Sequence, residues 1–218
     1  MEKLRLSLLA VIFGSVFCVL GKTILVPTPG NSTVTPLVFP AAVPLPEWQA
    51  LKSRPLAATP IAESPNPSAR HYRYIQNDVT LDIEMRYLVN TLGHVQFFIR
   101  SIQQFPGQIT FASRHKQGVG FYYLFTHERR AYLSTCINSR GGTTVSEAQF
   151  LQNRYLYDMQ FGRLLLWLLN QGSFQDKRCL WAHLSIPLKN SASENAYQTL
   201  EQAWQDWYQW WQPRFPQS

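Results

Sequence analysis

The chain has 218 residues, of which 45% are hydrophobic and 15% are charged. This composition excludes a chain that is disordered throughout and fits one ordinary domain with an appendage. The net charge is +7, but the basic residues stand in short, dispersed groups such as 114–116 and 129–130. We therefore expect a solvated basic surface and no nucleic-acid partner.

The N-terminal segment, residues 1–26, predicts a membrane anchor. Lys3 and Arg5 precede an uncharged run from Leu6 to Gly21, and apolar residues continue to Val26. Counted to Val26, the segment approaches the ~20 residues that a membrane-spanning helix needs. A signal peptide is the alternative, although its cleavage site would be poor. We predict a retained single-pass anchor in the plasma membrane, with the rest of the chain extracytoplasmic, on the periplasmic side.

Residues 27–67 change the character of the sequence, because ten of the fourteen prolines fall there. Such composition disfavours helices and central strands and favours extended polyproline II. We predict a stiff spacer between the anchor and the domain. Trp48 is costly to expose in such a spacer, which favours its docking on the domain.

Residues 68–218 have the pattern of one folded α+β domain. Two β-hairpins are predicted, one turning at Asn77 and Asp78 and the other between residues 127 and 129, and the stretch 179–188 predicts a further strand. The spacing of apolar residues predicts helices over residues 93–105, from Thr144 to about Asn170, and from Ser191 to the tryptophan-rich end. The predicted domain is therefore an antiparallel sheet of about five strands with three helices.

Cys136 and Cys179 are the two cysteines of the predicted extracytoplasmic part. In an oxidising compartment they form a candidate disulfide, with two buried thiols as the equal alternative. Cys136 with His183 is a weaker candidate for nucleophilic catalysis. Asp82 and Glu84 share one strand face at a spacing that glycoside-cleaving carboxylates also use, but two solvated charges explain them more simply.

The stretch "SRGGTT" is a candidate contact for an anion or a partner. Arg140, Gly141, Gly142 and Thr144 combine a cation with backbone amides near a predicted helix start. The stretch lacks the lysine and glycine spacing of a P-loop, and a glycine turn before the helix is the simpler interpretation. No histidine spacing supports metal binding, so we expect no catalytic residue, no metal and no cofactor.

Several stretches together resemble the cyanoexosortase A system-associated protein family of cyanobacteria. They are "LDIEMRY", "GVGFYYLF", "RAYLSTCINSRGGTTVSEAQF", "RCLWAHLSIPL" and "WQDWYQWW". The resemblance implies a non-catalytic accessory protein of a system for protein sorting and exopolysaccharide export. Its implied partners are the exosortase, an integral membrane protein, or the substrates that the exosortase sorts.

Two other functions stay open at this point. One is an envelope hydrolase or transferase that uses Cys136 with His183, or Asp82 with Glu84. The other is a module that binds an anionic polymer or lipid through a basic surface.

Overall fold

The structure is a computed structural model that describes residues 2–25, 37–57, 68–158, 176–188 and 193–216. The chain divides into two compact units. The first contains helix α1 (Glu2–Leu25), and the second, which begins at Pro36, contains the sheet.

The predicted transmembrane helix is wrong. Within the described ranges, no helix is both long and apolar enough to cross a membrane. The reason lies in the charges at both ends of α1. Arg5 and Lys22 bound the uncharged run from Leu6 to Gly21, which is shorter than the ~20 residues that a bilayer requires.

The second unit is built on a seven-stranded antiparallel sheet. Its strands are β1 (Gln49–Pro55), β2 (Ser68–Gln76), β3 (Val79–Leu88), β4 (Ala112–Lys116), β5 (Gly120–His127), β6 (Arg130–Asn138) and β7 (Cys179–Pro187). Their order across the sheet is β1-β2-β3-β7-β6-β5-β4. The α+β class with an antiparallel sheet is as predicted, but the expected count of five strands is wrong.

The two strands that the sequence did not reveal are the edge strands. Every residue of β1 and β4 is exposed or only partly buried. Because neither strand has a buried face, neither shows the alternation of apolar and polar residues that marks a half-buried strand. Both strands carry cations, namely Lys52 and Arg54 in β1 and Arg114 and Lys116 in β4, as edge strands commonly do.

Four α-helices are described. Besides α1, they are α2 (Val95–Phe98), α3 (Glu147–Asp158) and α4 (Ser193–Trp211). The helix predicted over residues 93–105 is shorter in the structure. It consists of α2, which continues directly into a π-helix, Ile99–Gln103. A 3₁₀-helix, Gln212–Arg214, follows α4. The predicted extension of α3 to Asn170 falls on residues 159–175, which lie outside the described residues.

One face of the sheet packs against α4, and we call it the tryptophan face. The alternating residues of β3 that point there, including Leu81, Ile83 and Met85, are fully buried. Trp207 of α4 donates a hydrogen bond from Nε1 to Met85 Sδ at 3.3 Å and meets the Tyr72 ring edge-on. Burying the apolar side of α4 in this way stabilises the helix on the sheet by the hydrophobic effect.

Part of the predicted spacer belongs to this face. Phe39, Val43 and Leu45 are buried, and the hydroxyl groups of Tyr72 and Tyr74 donate hydrogen bonds to the carbonyl oxygens of Pro40 and Val43 at 2.9 and 2.8 Å. The folded domain therefore includes residues 37–57, and β1 lies inside the segment predicted as spacer. Residues 26–36 and 58–67 of that segment lie outside the described residues.

Candidate functional site on the polar sheet face

The opposite face of the sheet carries the predicted carboxylates, and we call its β1–β3 half the polar face. Here Asp82 binds two arginine side chains and one histidine side chain. Oδ1 accepts from Arg73 Nε at 2.7 Å and lies 3.1 Å from His71 Nε2, and Oδ2 accepts from Arg130 at 2.8 Å. Burial alone would raise the pKa of Asp82, but the hydrogen bonds from His71 and Arg73 and the nearby arginine charges outweigh it and lower the pKa to about 2.

Glu84 lies two residues further along β3 on the same face. One carboxylate oxygen accepts from Arg86 Nε at 2.5 Å, and the other accepts from Gln103 Nε2 of the π-helix at 2.9 Å. The predicted carboxylate pair is therefore present, and each member makes hydrogen bonds within the chain. These charge-assisted hydrogen bonds hold both carboxylates in place within the fold.

His183 of β7 is the direct cross-strand neighbour of Glu84. Its ring is enclosed by aromatic rings, stacked on Tyr132 at 5.3 Å between centroids and flanked by Trp181 at 5.3 Å. Phe105, in the loop after the π-helix, covers it at 6.4 Å. Burial lowers the pKa of His183 to about 4, a shift that the charge of Glu84 opposes and those of Arg130 and Arg86 reinforce. The imidazole is therefore neutral at physiological pH.

Cys136 and Cys179 form a disulfide between β6 and β7, with their Cα atoms 5.7 Å apart. Both are fully buried in a cluster with Phe98, Val145 and Trp181. Cys136 lies opposite Trp181 in the sheet, whereas His183 lies opposite Ser134. The structure thus joins the two cysteines to each other and does not place Cys136 directly across from His183.

All four residues of the predicted anion contact are in contact with other residues of the same chain. Arg140 donates to Asp158 Oδ1 of α3 at 3.2 Å. Gly141 has a φ of +73°, and a Cβ there would collide with Asn153 and Tyr157. The carbonyl of Gly142 accepts from Asn138 Nδ2 at 2.6 Å, and Thr144 pairs through its backbone with Cys136. These contacts make the stretch a turn that packs against the second half of α3 and pairs with the end of β6.

Sequence reasoning missed the arginines and the histidine that surround Asp82. On β2, His71 and Arg73 alternate with the buried Tyr72 and Tyr74. This period of two could have shown from the sequence that His71 and Arg73 share one face of the strand. Lys52 and Arg54 of β1 lie beside Arg73 and His71 in the sheet and are exposed. The polar face therefore has more positive than negative charge.

Within the part of the chain that the structure describes, no group of three or more His, Cys, Asp or Glu side chains has the arrangement of a metal site. Comparisons with protein-family models, with curated proteins and with solved structures each gave no significant match.

Proposed function

We propose that this chain is an extracytoplasmic, non-catalytic accessory protein of an exosortase-type system for protein sorting and exopolysaccharide export. The observation that carries the proposal is the buried disulfide between Cys136 and Cys179. Structural disulfides of this kind persist in oxidising compartments, whereas the cytosol keeps thiols reduced. The resemblance of the sequence to exosortase-associated proteins supplies the proposed system and the proposed partners, the exosortase or its sorted substrates.

The contacts of the candidate catalytic side chains support a non-catalytic role. The sulfur of Cys136 is bonded to Cys179, so it offers no thiolate while the disulfide is intact. His183 is only 5% exposed and lies beneath Phe105. Asp82 neutralises nearby cations, and Glu84 is bound by Arg86 and Gln103. Cys136, Asp82 and Glu84 are thus each held by a contact within the chain, and His183 is shielded by burial.

The first test removes the gene for this chain and leaves the exosortase in place. We expect slower or incomplete removal of sorting signals, and we expect the chain to co-purify with the exosortase or with a sorted substrate. Normal processing together with no co-purification would contradict the accessory role.

The second test separates an accessory protein from an enzyme by restoring the deleted gene as a variant. Glu84→Gln keeps a hydrogen-bonding side chain of the same size, and we expect it to restore processing as well as the wild type does. Processing that is lost in a variant of normal stability would show that the carboxylate does chemistry. Asn195→Gln, at an exposed position of α4, is the matched control.

A second candidate function is supported by the excess positive charge of the polar face. Lys52, Arg54 and Arg73 are exposed there, and Arg130 shares the carboxylate of Asp82 with Arg73. Such a face attracts anionic polymer. We expect the chain to bind alginate, with an affinity that falls steeply between roughly 50 and 300 mM salt because salt screens the exposed charges. Arg54→Ala with Lys52→Ala should reduce it, whereas the control Lys177→Ala, an exposed lysine before β7, should not.

A further inference from the structure

A groove opens beside the tryptophan face, between the second half of α4 and the segment that leads into β1. Its volume is about 610 Å³, within the range of ~300–1,000 Å³ that small-ligand sites occupy. The side chains that bear on its chemistry are Trp48, Tyr74, Asp206, Gln209, Trp210 and Arg214. None of them belongs to the polar face.

The groove has two half-buried tryptophans, and contacts within the chain fix the backbone at Trp48. Trp48 follows a tight turn in which Glu47 adopts a φ of +63° and the Trp48 amide donates to the carbonyl of Leu45 at 3.2 Å. The side chain of Gln76 donates to Glu47 at 3.2 Å and secures that turn. A left-handed backbone conformation at a glutamate costs about 1 kcal/mol, so the surrounding contacts must stabilise this turn. The turn places the Trp48 side chain at the groove.

Trp210 is fixed from the other side of the groove. The guanidinium group of Arg214 lies 4.6 Å from its ring centroid and donates to its carbonyl oxygen at 2.8 Å. Trp211, buried beneath, meets Trp210 edge-on at 4.9 Å between centroids. Since the turn before Trp48 and the ring contacts of Trp210 form within the chain, a ligand that stacks on these indoles loses less free energy to ordering.

The polar side chains of the groove follow one side of α4. Asp206, Gln209 and Trp210 are spaced by three and four residues, and Arg214 continues the line. The side chains of Asp206 and Gln209 make no hydrogen bond to another residue in the described ranges of the chain. The groove therefore offers a carboxylate acceptor, an amide and a guanidinium donor, and the charges of Asp206 and Arg214 cancel.

We propose that this groove binds a neutral oligosaccharide. The C–H face of a pyranose ring is apolar and stacks on indole rings, which are amphipathic and present a large contact area. Its hydroxyl groups both donate and accept, so one sugar can satisfy Asp206 as well as Gln209 and Arg214. A proline-rich peptide would also suit the aromatic walls, but its backbone offers mainly acceptors and would leave Asp206 without a donor. The inference does not rest on the accessory role proposed above.

The test measures, by isothermal titration calorimetry, the binding of the purified chain to cellohexaose, chitohexaose, mannohexaose, maltohexaose and decaproline. We expect at least one hexasaccharide to bind with a Kd between ~10 μM and ~1 mM, a range that corresponds to about −4 to −7 kcal/mol. The Kd should be the same at 50 and 500 mM salt, because the ligand is neutral. Binding of decaproline alone, or of none of these probes, would overturn the proposal.

Variants locate the site. We expect Trp210→Ala and Trp48→Ala each to weaken the hexasaccharide at least tenfold, and Asp206→Asn to weaken it while leaving the unfolding temperature unchanged. Gln202→Ala is the matched control, because Gln202 is exposed on α4 and does not line the groove. Unchanged affinity in Asp206→Asn and in both tryptophan variants would place the sugar elsewhere and contradict the assignment of the groove.

Discussion

Glu84 and His183 are direct cross-strand neighbours, yet the carboxylate accepts its hydrogen bonds from Arg86 and Gln103 and none from the imidazole. Both ring nitrogens of His183 are buried and lack a hydrogen-bond partner among the described residues. His183 is thus a polar ring in an aromatic cluster, and replacing it by an apolar ring measures what its buried nitrogens cost in stability.

Replacing His183 by phenylalanine should stabilise the protein at pH 7.5. A buried polar group without a partner costs about 1–3 kcal/mol, and a phenyl ring, one atom larger, is apolar like the rings of Tyr132, Trp181 and Phe105 around it. We expect a gain of about 1 kcal/mol in the free energy of unfolding, measured in urea. A net loss would contradict the expectation, since buried water on the two nitrogens or overpacking by the larger ring would then outweigh the gain. His94→Phe, at an exposed position, is the control.

The same variant should flatten the acid dependence of stability. The pKa of His183 is about 4 in the folded protein and 6.5 in an unconstrained histidine, so the unfolded state takes up a proton first as pH falls. Stability therefore decreases between pH 6.5 and pH 4, by up to about 3 kcal/mol, and levels off below that window. Wild type and His183→Phe, unfolded in urea at half-unit pH steps, should differ in slope only there. Parallel curves would contradict the assignment.

Asp82→Asn should destabilise the protein at neutral pH. Folding lowers the pKa of Asp82 from 3.8 to about 2, so its contribution is complete above pH 3.8 and is lost as pH falls toward 2. We expect a loss of about 1–2 kcal/mol at pH 7 that shrinks at pH 2. Asp206→Asn, which removes a carboxylate without an ion pair in the described part of the chain, should have little effect. Equal losses in the two variants would show that the cations around Asp82 are not held by its charge.

Loss of the disulfide should lower stability substantially. Cys136 and Cys179 are separated by 43 positions, and closing a loop of that length stabilises by about 4 kcal/mol in the chain-entropy account. Replacing both cysteines by alanine, or reducing the wild type, should lower the free energy of unfolding by about 2–4 kcal/mol. Cys18→Ala, which removes the free, exposed cysteine, should change nothing. Two alkylated thiols in non-reduced native protein would contradict the disulfide.

Two glycines with left-handed backbones should respond differently to alanine. Gly93 has a φ of +68°, and a Cβ there would lie 2.5 Å from the buried ring of Phe150, whereas Gly107 has a φ of +83° with no atom within 4 Å. We expect Gly107→Ala to cost about 1 kcal/mol for the backbone alone. Gly93→Ala should cost at least twice that, measured by thermal unfolding. Similar costs would show that Phe150 moves freely.

Local pattern was sufficient for the elements that have one buried face. Alternating residues such as Leu81, Ile83 and Met85 revealed β3, because burying one face imposes a period of two on a strand. The apolar side of α4 was readable for the same reason at a period of 3.6. Strands β1 and β4 gave no such signal, because edge position leaves both of their faces largely exposed.

The sequence by itself determined the α+β class, the antiparallel sheet and the hairpins, since these follow from residues close together in the chain. Only the tertiary structure decided which groups meet. It brought Asp82 to Arg130 and placed Trp48 across a groove from Trp210. Sheet order and helix docking set those distances, and they depend on many weak packing contacts between distant segments. A charge pattern on one strand cannot reveal its partner on another, because the register between strands is fixed by the fold as a whole.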